Sequence, residues 1–258
     1  MKKAILLVSF GTSYREACES SLKAIGKDLV RAGKDLPVYQ AYTSGVIISK
    51  LAGEGIRIHS VEEALREMID DGIEAVFVIS THMIPGIEYQ KMLGTIEKYR
   101  VRFQKLAVSA PVLDREEDCG KLVPVIRELL KVQDDYEYVL MGHGTEAEAN
   151  VRYSQMNEAF ARAGLSNIRI ASVEAKPDIE DALLSLSEKK KVQKVILHPF
   201  MIVAGDHARN DMAGEEASYL TFLTDAGYPV KTIVKGLGEY PVFRQIFVDK
   251  LEELISEQ

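Results

Sequence analysis

The feature that most constrains the fold is an internal repeat in which short β-branched runs alternate with amphipathic helical stretches. The predicted strands follow the same order in the two halves: Lys3–Val8, Val38–Tyr42 and Ala75–Ser80, then Tyr138–Met141, Ile168–Val173 and Val192–Leu197. Such alternation is typical of βαβ units around a parallel sheet. We therefore predict an α/β fold of two similar lobes, residues 1–120 and 121–258. The C-terminal helix Val242–Ser256 could pack back on the first lobe.

Helix-start signals support this pattern in both halves. Ser60 precedes a helical stretch and Glu63 stands three residues later, which is the spacing of a capping box. Asp178 occupies the corresponding place before the helix that ends near Ser187. Each lobe is therefore expected to have helices flanking its sheet.

The halves also align residue by residue around the strand ends. The aligned segments are Leu7–Thr12 with Leu140–Thr145, Val38–Ser44 with Ile168–Glu174, and, without a gap, Val76–Glu88 with Val195–His207. Gly86 coincides with Gly205 in this alignment. Duplication explains the shared order and the shared glycines better than chance.

The aligned strand ends differ in chemistry between the halves. The first half carries Phe10, Ser44 and Glu88, and the second carries His143, Glu174 and His207. A structural need for histidine would be expected in both halves, so the asymmetry favours a reactive site in the second. Ligands of parallel α/β sheets bind outside the carboxyl ends of the strands. Two imidazoles and a carboxylate at that edge predict a metal-handling or acid–base site.

Composition excludes several function classes. The net charge of −7 argues against nucleic acid as a partner, and no apolar run approaches the length of a membrane helix. The run Ala4–Val8 is too short for the apolar core of a signal peptide. Cys18 and Cys119 stand apart with no C-x-x-C pattern, which indicates reduced thiols. We expect a cytoplasmic protein.

Two Gly–Thr pairs, Gly11–Thr12 and Gly144–Thr145, permit an alternative. Such pairs at helix starts can bind phosphate, although neither fits G-x-G-x-x-G or G-x-x-x-x-G-K-[ST]. A phosphate-binding α/β enzyme is thus a weaker interpretation. No H-E-x-x-H, G-x-S-x-G or closely paired cysteine motif supports a protease, a hydrolase or a thiolate-zinc site.

Four segments together resemble the anaerobic cobalt chelatases of cobalamin biosynthesis, the CbiK family of class II chelatases: Leu6–Thr12, Thr81–Gly86, Met141–Thr145 and His198–Ala208. The resemblance covers essentially the whole chain. It implies the chelatase (ferrochelatase-like) fold, with a cleft between two lobes. It also implies ATP-independent insertion of Co²⁺ into sirohydrochlorin on the early-cobalt route, with Co²⁺ as a substrate and no permanently bound cofactor.

The resemblance also implies roles for individual residues. The family's metal-handling histidines fall on His143 and His207, and its acidic residue falls on Glu174. Neutral imidazole both binds Co²⁺ and accepts protons, and a carboxylate can orient an imidazole or hold a hydrated metal. The expected substrate-binding residues are Ser9, Phe10, Gly11, Thr12, Thr81, His82, Met83, Ile84, Phe200, Met201 and Arg209.

Two alternatives stay open on sequence alone. Iron or nickel could be the physiological metal, because histidine ligands do not overturn the general order of first-row affinities. A non-catalytic carrier of a tetrapyrrole or a metal would need axial ligands, but no base beside the pyrrole nitrogens. A homo-oligomer is compatible with either activity.

Overall fold

The computed structural model describes residues 1–145, 148–189 and 191–256. The chain forms two compact units, Met1–Val112 with Arg244–Gln258, and Leu113–Phe243. The boundary between the units thus lies after Val112, whereas the repeat predicts a boundary between residues 120 and 121, with lobes of 1–120 and 121–258. The last helix belongs to the first unit from Arg244 onward. Within the described ranges, no helix combines the length and the apolar character needed to cross a membrane.

The first unit is built on five parallel strands in the order β3-β2-β1-β4-β5. Their bounds are β1 Lys3–Ser9, β2 Val38–Tyr42, β3 His59–Ser60, β4 Ala75–Ser80 and β5 Lys105–Val108. The central strands β1 and β4 are almost entirely buried, since apolar side chains face helices on both sides of the sheet.

Five helices accompany this sheet: α1 Arg15–Ala17, α2 Lys23–Ala32, α3 Gly45–Gly53, α4 Val61–Asp70 and α5 Ile87–Tyr99. A π-helical turn, Cys18–Leu22, joins α1 to α2. The predicted capping box is present at α4, where Glu63 N donates to Ser60 Oγ and Ser60 N donates to the Glu63 carboxylate. The two side chains of this capping box thus accept hydrogen bonds from backbone N–H groups that have no partner within the first turn of a helix.

The second unit contains four parallel strands in the order β7-β6-β8-β9. They are β6 Glu137–Gly142, β7 Ile168–Ser172, β8 Val195–Pro199 and β9 Val230–Thr232. The α-helices described in this unit are α6 Glu116–Leu130, α7 Val151–Arg162, α8 Ile179–Ser187 and α9 Tyr219–Asp225. The last helix, α10 Pro241–Ser256, belongs to the first unit from Arg244 onward. β8 starts at Val195 rather than at the predicted Val192, because its pairing with β6 begins at Glu137.

Strand pairing confirms the predicted duplication. The order β7-β6-β8-β9 repeats the order β2-β1-β4-β5 of the first unit. Equivalent pairs also share one register: Ser9 with Tyr42 and Val8 with Ser80 in the first unit, and Gly142 with Ser172 and Met141 with Pro199 in the second. These residues are the ones that the sequence alignment of the halves places opposite each other.

A glycine follows the central strand of each unit and has a positive φ, +104° at Gly11 and +91° at Gly144. A Cβ at Gly11 would lie 2.3 Å from the ring of Tyr42. A Cβ at Gly144 would lie 3.1 Å from the backbone nitrogen of Glu174. Both turns therefore require glycine for its backbone conformation and for the close approach of the neighbouring chain.

Replacing Gly144 by alanine is expected to lower the free energy of unfolding by about 2–3 kcal/mol, since strain and crowding act together. Gly164 is a matched control, because its φ is +76° and a Cβ added there would have no neighbour within 4 Å. Gly164→Ala should cost about 1 kcal/mol, from backbone strain alone. Urea unfolding of both variants measures the difference, and equal losses would contradict the crowding at Gly144.

Candidate metal centre

Pairing between β6 and β7 continues past the ends of both strands and brings His143 beside Glu174. Val173 N donates to Gly142 O at 3.0 Å, and Glu174 N donates to His143 O at 3.0 Å. The His143 Nδ1 atom lies 3.5 Å from Glu174 Oε2. The two side chains are 33% and 45% exposed, so both remain accessible to a ligand.

His207 reaches the same edge from the other side of β6. Phe200 N donates to Met141 O at 2.7 Å, which continues the pairing of β8 with β6 beyond Pro199. The following loop ends at His207, the residue before the π-helical turn Ala208–Met212. The rings of His143 and His207 lie 4.3 Å apart between centroids, with their planes at 82°. The structure thus places the two predicted imidazoles in edge-to-face contact.

The sequence interpretation missed Asp211, whose carboxylate holds His207. The His207 Nδ1 atom lies 2.6 Å from Asp211 Oδ2. An ionised carboxylate only accepts hydrogen bonds, so Nδ1 carries the proton and Nε2 keeps its lone pair. The sequence signal was available, because side chains four residues apart on one helical turn face each other.

His143 is held in the same tautomer by its own surroundings. Its Nδ1 lies 3.1 Å from the carbonyl oxygen of Gly144, and Glu174 approaches the same atom. Both neighbours are acceptors, so the proton belongs on Nδ1 and the lone pair on Nε2. In the neutral form, both imidazoles therefore carry the proton on Nδ1.

The predicted residues do not form a ready-made ligand set. Over residues 1–145, 148–189 and 191–256, no three His, Cys, Asp or Glu side chains converge in a way that could hold a metal ion. The carboxylates of Glu174 and Asp211 face the Nδ1 atoms of the two rings. What the structure shows is a contacting imidazole pair with a carboxylate beside each ring.

The predicted substrate-binding residues of the first unit lie at the end of β1 and directly after β1 and β4. Phe10 is 40% exposed, and Gly11, His82 and Met83 are partly buried. The others are buried: Ser9, Thr12, Thr81 and Ile84. Phe10 therefore offers the largest apolar surface of this set.

His82 is held by neighbouring hydroxyl groups. Its Nδ1 lies 2.8 Å from Ser80 Oγ, its Nε2 lies 3.3 Å from Thr43 Oγ1, and the ring packs edge-on against Tyr89. Desolvation lowers the pKa of His82 to about 4. The imidazole is therefore neutral near neutral pH.

The three predicted substrate-binding residues of the second unit differ in exposure. Arg209 is exposed and Met201 is partly buried. Phe200 has no exposed surface, and its ring packs edge-on against Tyr153 with 6.0 Å between centroids. This position is that of a core residue and gives no support to the interpretation of Phe200 as a ligand contact.

His198 is completely buried, and it satisfies a backbone group at the end of β8. Its Nδ1 lies 2.8 Å from Pro199 O, and its Nε2 lies 2.9 Å from the hydroxyl of Tyr240. The carbonyl can only accept, so Nδ1–H donates to it and Nε2 accepts from Tyr240. Desolvation lowers the pKa of His198 to about 4.

The imidazole signals of His82 and His198 are expected to titrate near pH 4 in an NMR pH series. An unfolded histidine titrates near pH 6.5, so between these values the unfolded chain binds more protons than the native protein. The free energy of unfolding should therefore fall as the pH drops from about 6.5 towards 4. Midpoints near 6.5 for both residues would contradict their desolvation.

The chain is similar in sequence to known proteins over nearly its whole length. The profile of the family described as cobalt chelatase (CbiK) matches residues 3–256. The sirohydrochlorin cobaltochelatase of Salmonella typhimurium is 35% identical over 259 residues, covering 99% of this chain and 97% of the relative. The sirohydrochlorin cobaltochelatase CbiKC of Nitratidesulfovibrio vulgaris is 30% identical over 260 residues, covering 99% and 91%.

The fold has a counterpart among solved structures. SirB from Bacillus subtilis with Fe³⁺ matches with a TM-score of 0.67 and 12% identity, covering 98% of this chain and 95% of the other. The predicted chelatase fold is thereby confirmed. From its sequence relatives and the family profile, the chain belongs to the cobalt chelatase (CbiK) family.

Proposed function

We propose that this chain inserts Co²⁺ into sirohydrochlorin without ATP. One observation carries the proposal: the imidazoles of His143 and His207 are in contact, and each has a carboxylate beside its Nδ1 atom. This pair occurs in a chain whose relatives in Salmonella typhimurium and Nitratidesulfovibrio vulgaris are named sirohydrochlorin cobaltochelatases. Co²⁺ is a substrate here, and no permanently bound cofactor is required.

The reaction exchanges one divalent ion for two pyrrole protons. The Nε2 lone pairs of His143 and His207 first bind Co²⁺, for which imidazole is a suitable ligand. A lone pair that binds the metal cannot accept a proton at the same time. As Co²⁺ passes to the four pyrrole nitrogens, each freed Nε2 accepts one of the protons that the macrocycle releases. Both charge and protons then balance without another reactant.

The carboxylates support both steps of this exchange. Asp211 accepts from the Nδ1–H of His207, and Glu174 lies 3.5 Å from the Nδ1 atom of His143, so each carboxylate orients its ring from the side opposite Nε2. After proton transfer the same carboxylates stabilise the two imidazolium ions. Co²⁺ must also leave the protein again when it enters the macrocycle. A site whose ligands do not already converge on one point suits this release.

Sirohydrochlorin carries eight carboxylates, and this protein has a net charge of −7, so local cations must bind the substrate. Arg209 is exposed two residues after His207 and can bind a carboxylate with two hydrogen bonds. Met201 offers a partly buried apolar contact in the same unit. The residues proposed in the first unit stay predictions, as do a cytoplasmic location and a homo-oligomer.

His143→Ala and His207→Ala are each expected to abolish insertion of Co²⁺ above the uncatalysed rate. The measurement is the absorbance change of sirohydrochlorin with Co²⁺ under anaerobic conditions, with and without ATP. His59→Ala is the control, because His59 lies in the first unit beside Glu67. A wild-type protein that binds the macrocycle but does not accelerate insertion would contradict the proposal and favour a carrier.

Asp211→Asn keeps the size of the side chain and removes the charge that holds His207. We expect Co²⁺ affinity to fall by about 10–100-fold, the usual effect of losing a carboxylate behind a metal-binding histidine. Calorimetric titration with Co²⁺ alone measures it. Asp225→Asn, at an exposed carboxylate that ends α9, is the matched control. Equal affinities for the two variants would show that Asp211 does not prepare His207.

A further inference from the structure

Tyr153 packs against the backbone next to His143. It lies on α7 and is 2% exposed. A Cβ at Gly142 would lie 3.1 Å from the Tyr153 ring and 3.4 Å from its hydroxyl oxygen, so the edge of the ring and the hydroxyl lie against the chain just before His143. The ring also packs against Phe200, the first residue after β8. One buried side chain thus contacts the residue before His143 and the start of the loop that leads to His207.

Tyr219 has an equivalent place behind Glu174. It is 4% exposed, and its hydroxyl donates to the carbonyl oxygen of Ser172 at 2.8 Å. Ser172 in turn organises the loop after β7, because its hydroxyl donates to Ala175 O at 2.5 Å and its N–H donates to Pro177 O at 2.6 Å. Glu174 lies inside the loop that these bonds close.

We infer that Tyr153 and Tyr219 are positioning residues, which hold the His143 and Glu174 loops in the geometry that binds the substrate metal. This inference rests on the proposed function. Neither hydroxyl contacts the reacting atoms, and each acts through a backbone group beside a functional residue. Gly142 and Gly144 have no side chains that could restrain the loop around His143. Packing against Tyr153 supplies that restraint.

A control variant in the same unit distinguishes a positioning role of these hydroxyls from a purely structural one. Tyr138 is also 2% exposed, and its oxygen accepts a backbone N–H, that of Gln133, at 2.9 Å. It lies at the opposite end of β6 from His143. Tyr138→Phe therefore removes a hydroxyl from an equally buried tyrosine, without touching the metal-binding edge.

The test compares Tyr153→Phe, Tyr219→Phe and Tyr138→Phe in urea unfolding, in amide hydrogen exchange and in titration with Co²⁺ alone. Tyr153→Phe and Tyr138→Phe should shift the unfolding midpoint by similar amounts. Tyr153→Phe should speed amide exchange in the backbone around His143. Tyr153→Phe and Tyr219→Phe should each weaken Co²⁺ binding about 10-fold, as the loss of a group that orients a metal ligand does, whereas Tyr138→Phe should leave it unchanged.

Unchanged Co²⁺ affinity in both Tyr153→Phe and Tyr219→Phe would overturn the inference, and so would an equal loss in Tyr138→Phe. Failure of the proposed function has a different signature. In that case wild-type protein would show no Co²⁺ binding that depends on His143, or would bind the metal without inserting it, before any tyrosine is changed.

Discussion

The hydrogen-bonded register of β6 with its two neighbours is the constraint on which the site depends. It continues for one or two residues past the strand ends, through Glu174 N to His143 O and Phe200 N to Met141 O. Because successive side chains of a strand point to opposite faces, a shift of one residue would turn His143 or Glu174 away. Buried residues on both faces of β6 hold the register. The stability of the core and the geometry of the imidazole pair therefore have the same origin.

Much of the fold could be predicted because local signals and tertiary packing agree. β2 and β4 have the predicted bounds, and Asp178 caps α8 as its position indicates. Helices α3, α5, α6 and α9 were not predicted. The sequence of α3 is apolar with little polar contrast between faces, and α6 contains Pro124, which normally argues against a helix interior. Both segments are helical because of their packing in the folded protein, which the periodicity of the sequence alone does not show.

The candidate site could also be predicted only in part from the sequence. The pairing of His143 with Glu174 follows from the alignment of the halves, since a parallel register brings equivalent strand ends together. The orientation of side chains does not follow from it. Asp211 lies outside the repeat pattern, and Phe200 faces the core although it directly follows β8, at the edge where the sequence predicts ligand contacts. Such assignments depend on rotamers and on neighbours distant in sequence, Tyr153 among them.

The proposed mechanism depends above all on one Co²⁺ ion binding the Nε2 atoms of both His143 and His207. A crystal structure of the protein soaked with Co²⁺, with anomalous data collected at the cobalt edge, tests this most directly. We expect a single cobalt peak within bonding distance of both Nε2 atoms, with Asp211 still on Nδ1 of His207. Cobalt bound only by carboxylates, or at Nδ1 of either ring, would contradict the mechanism.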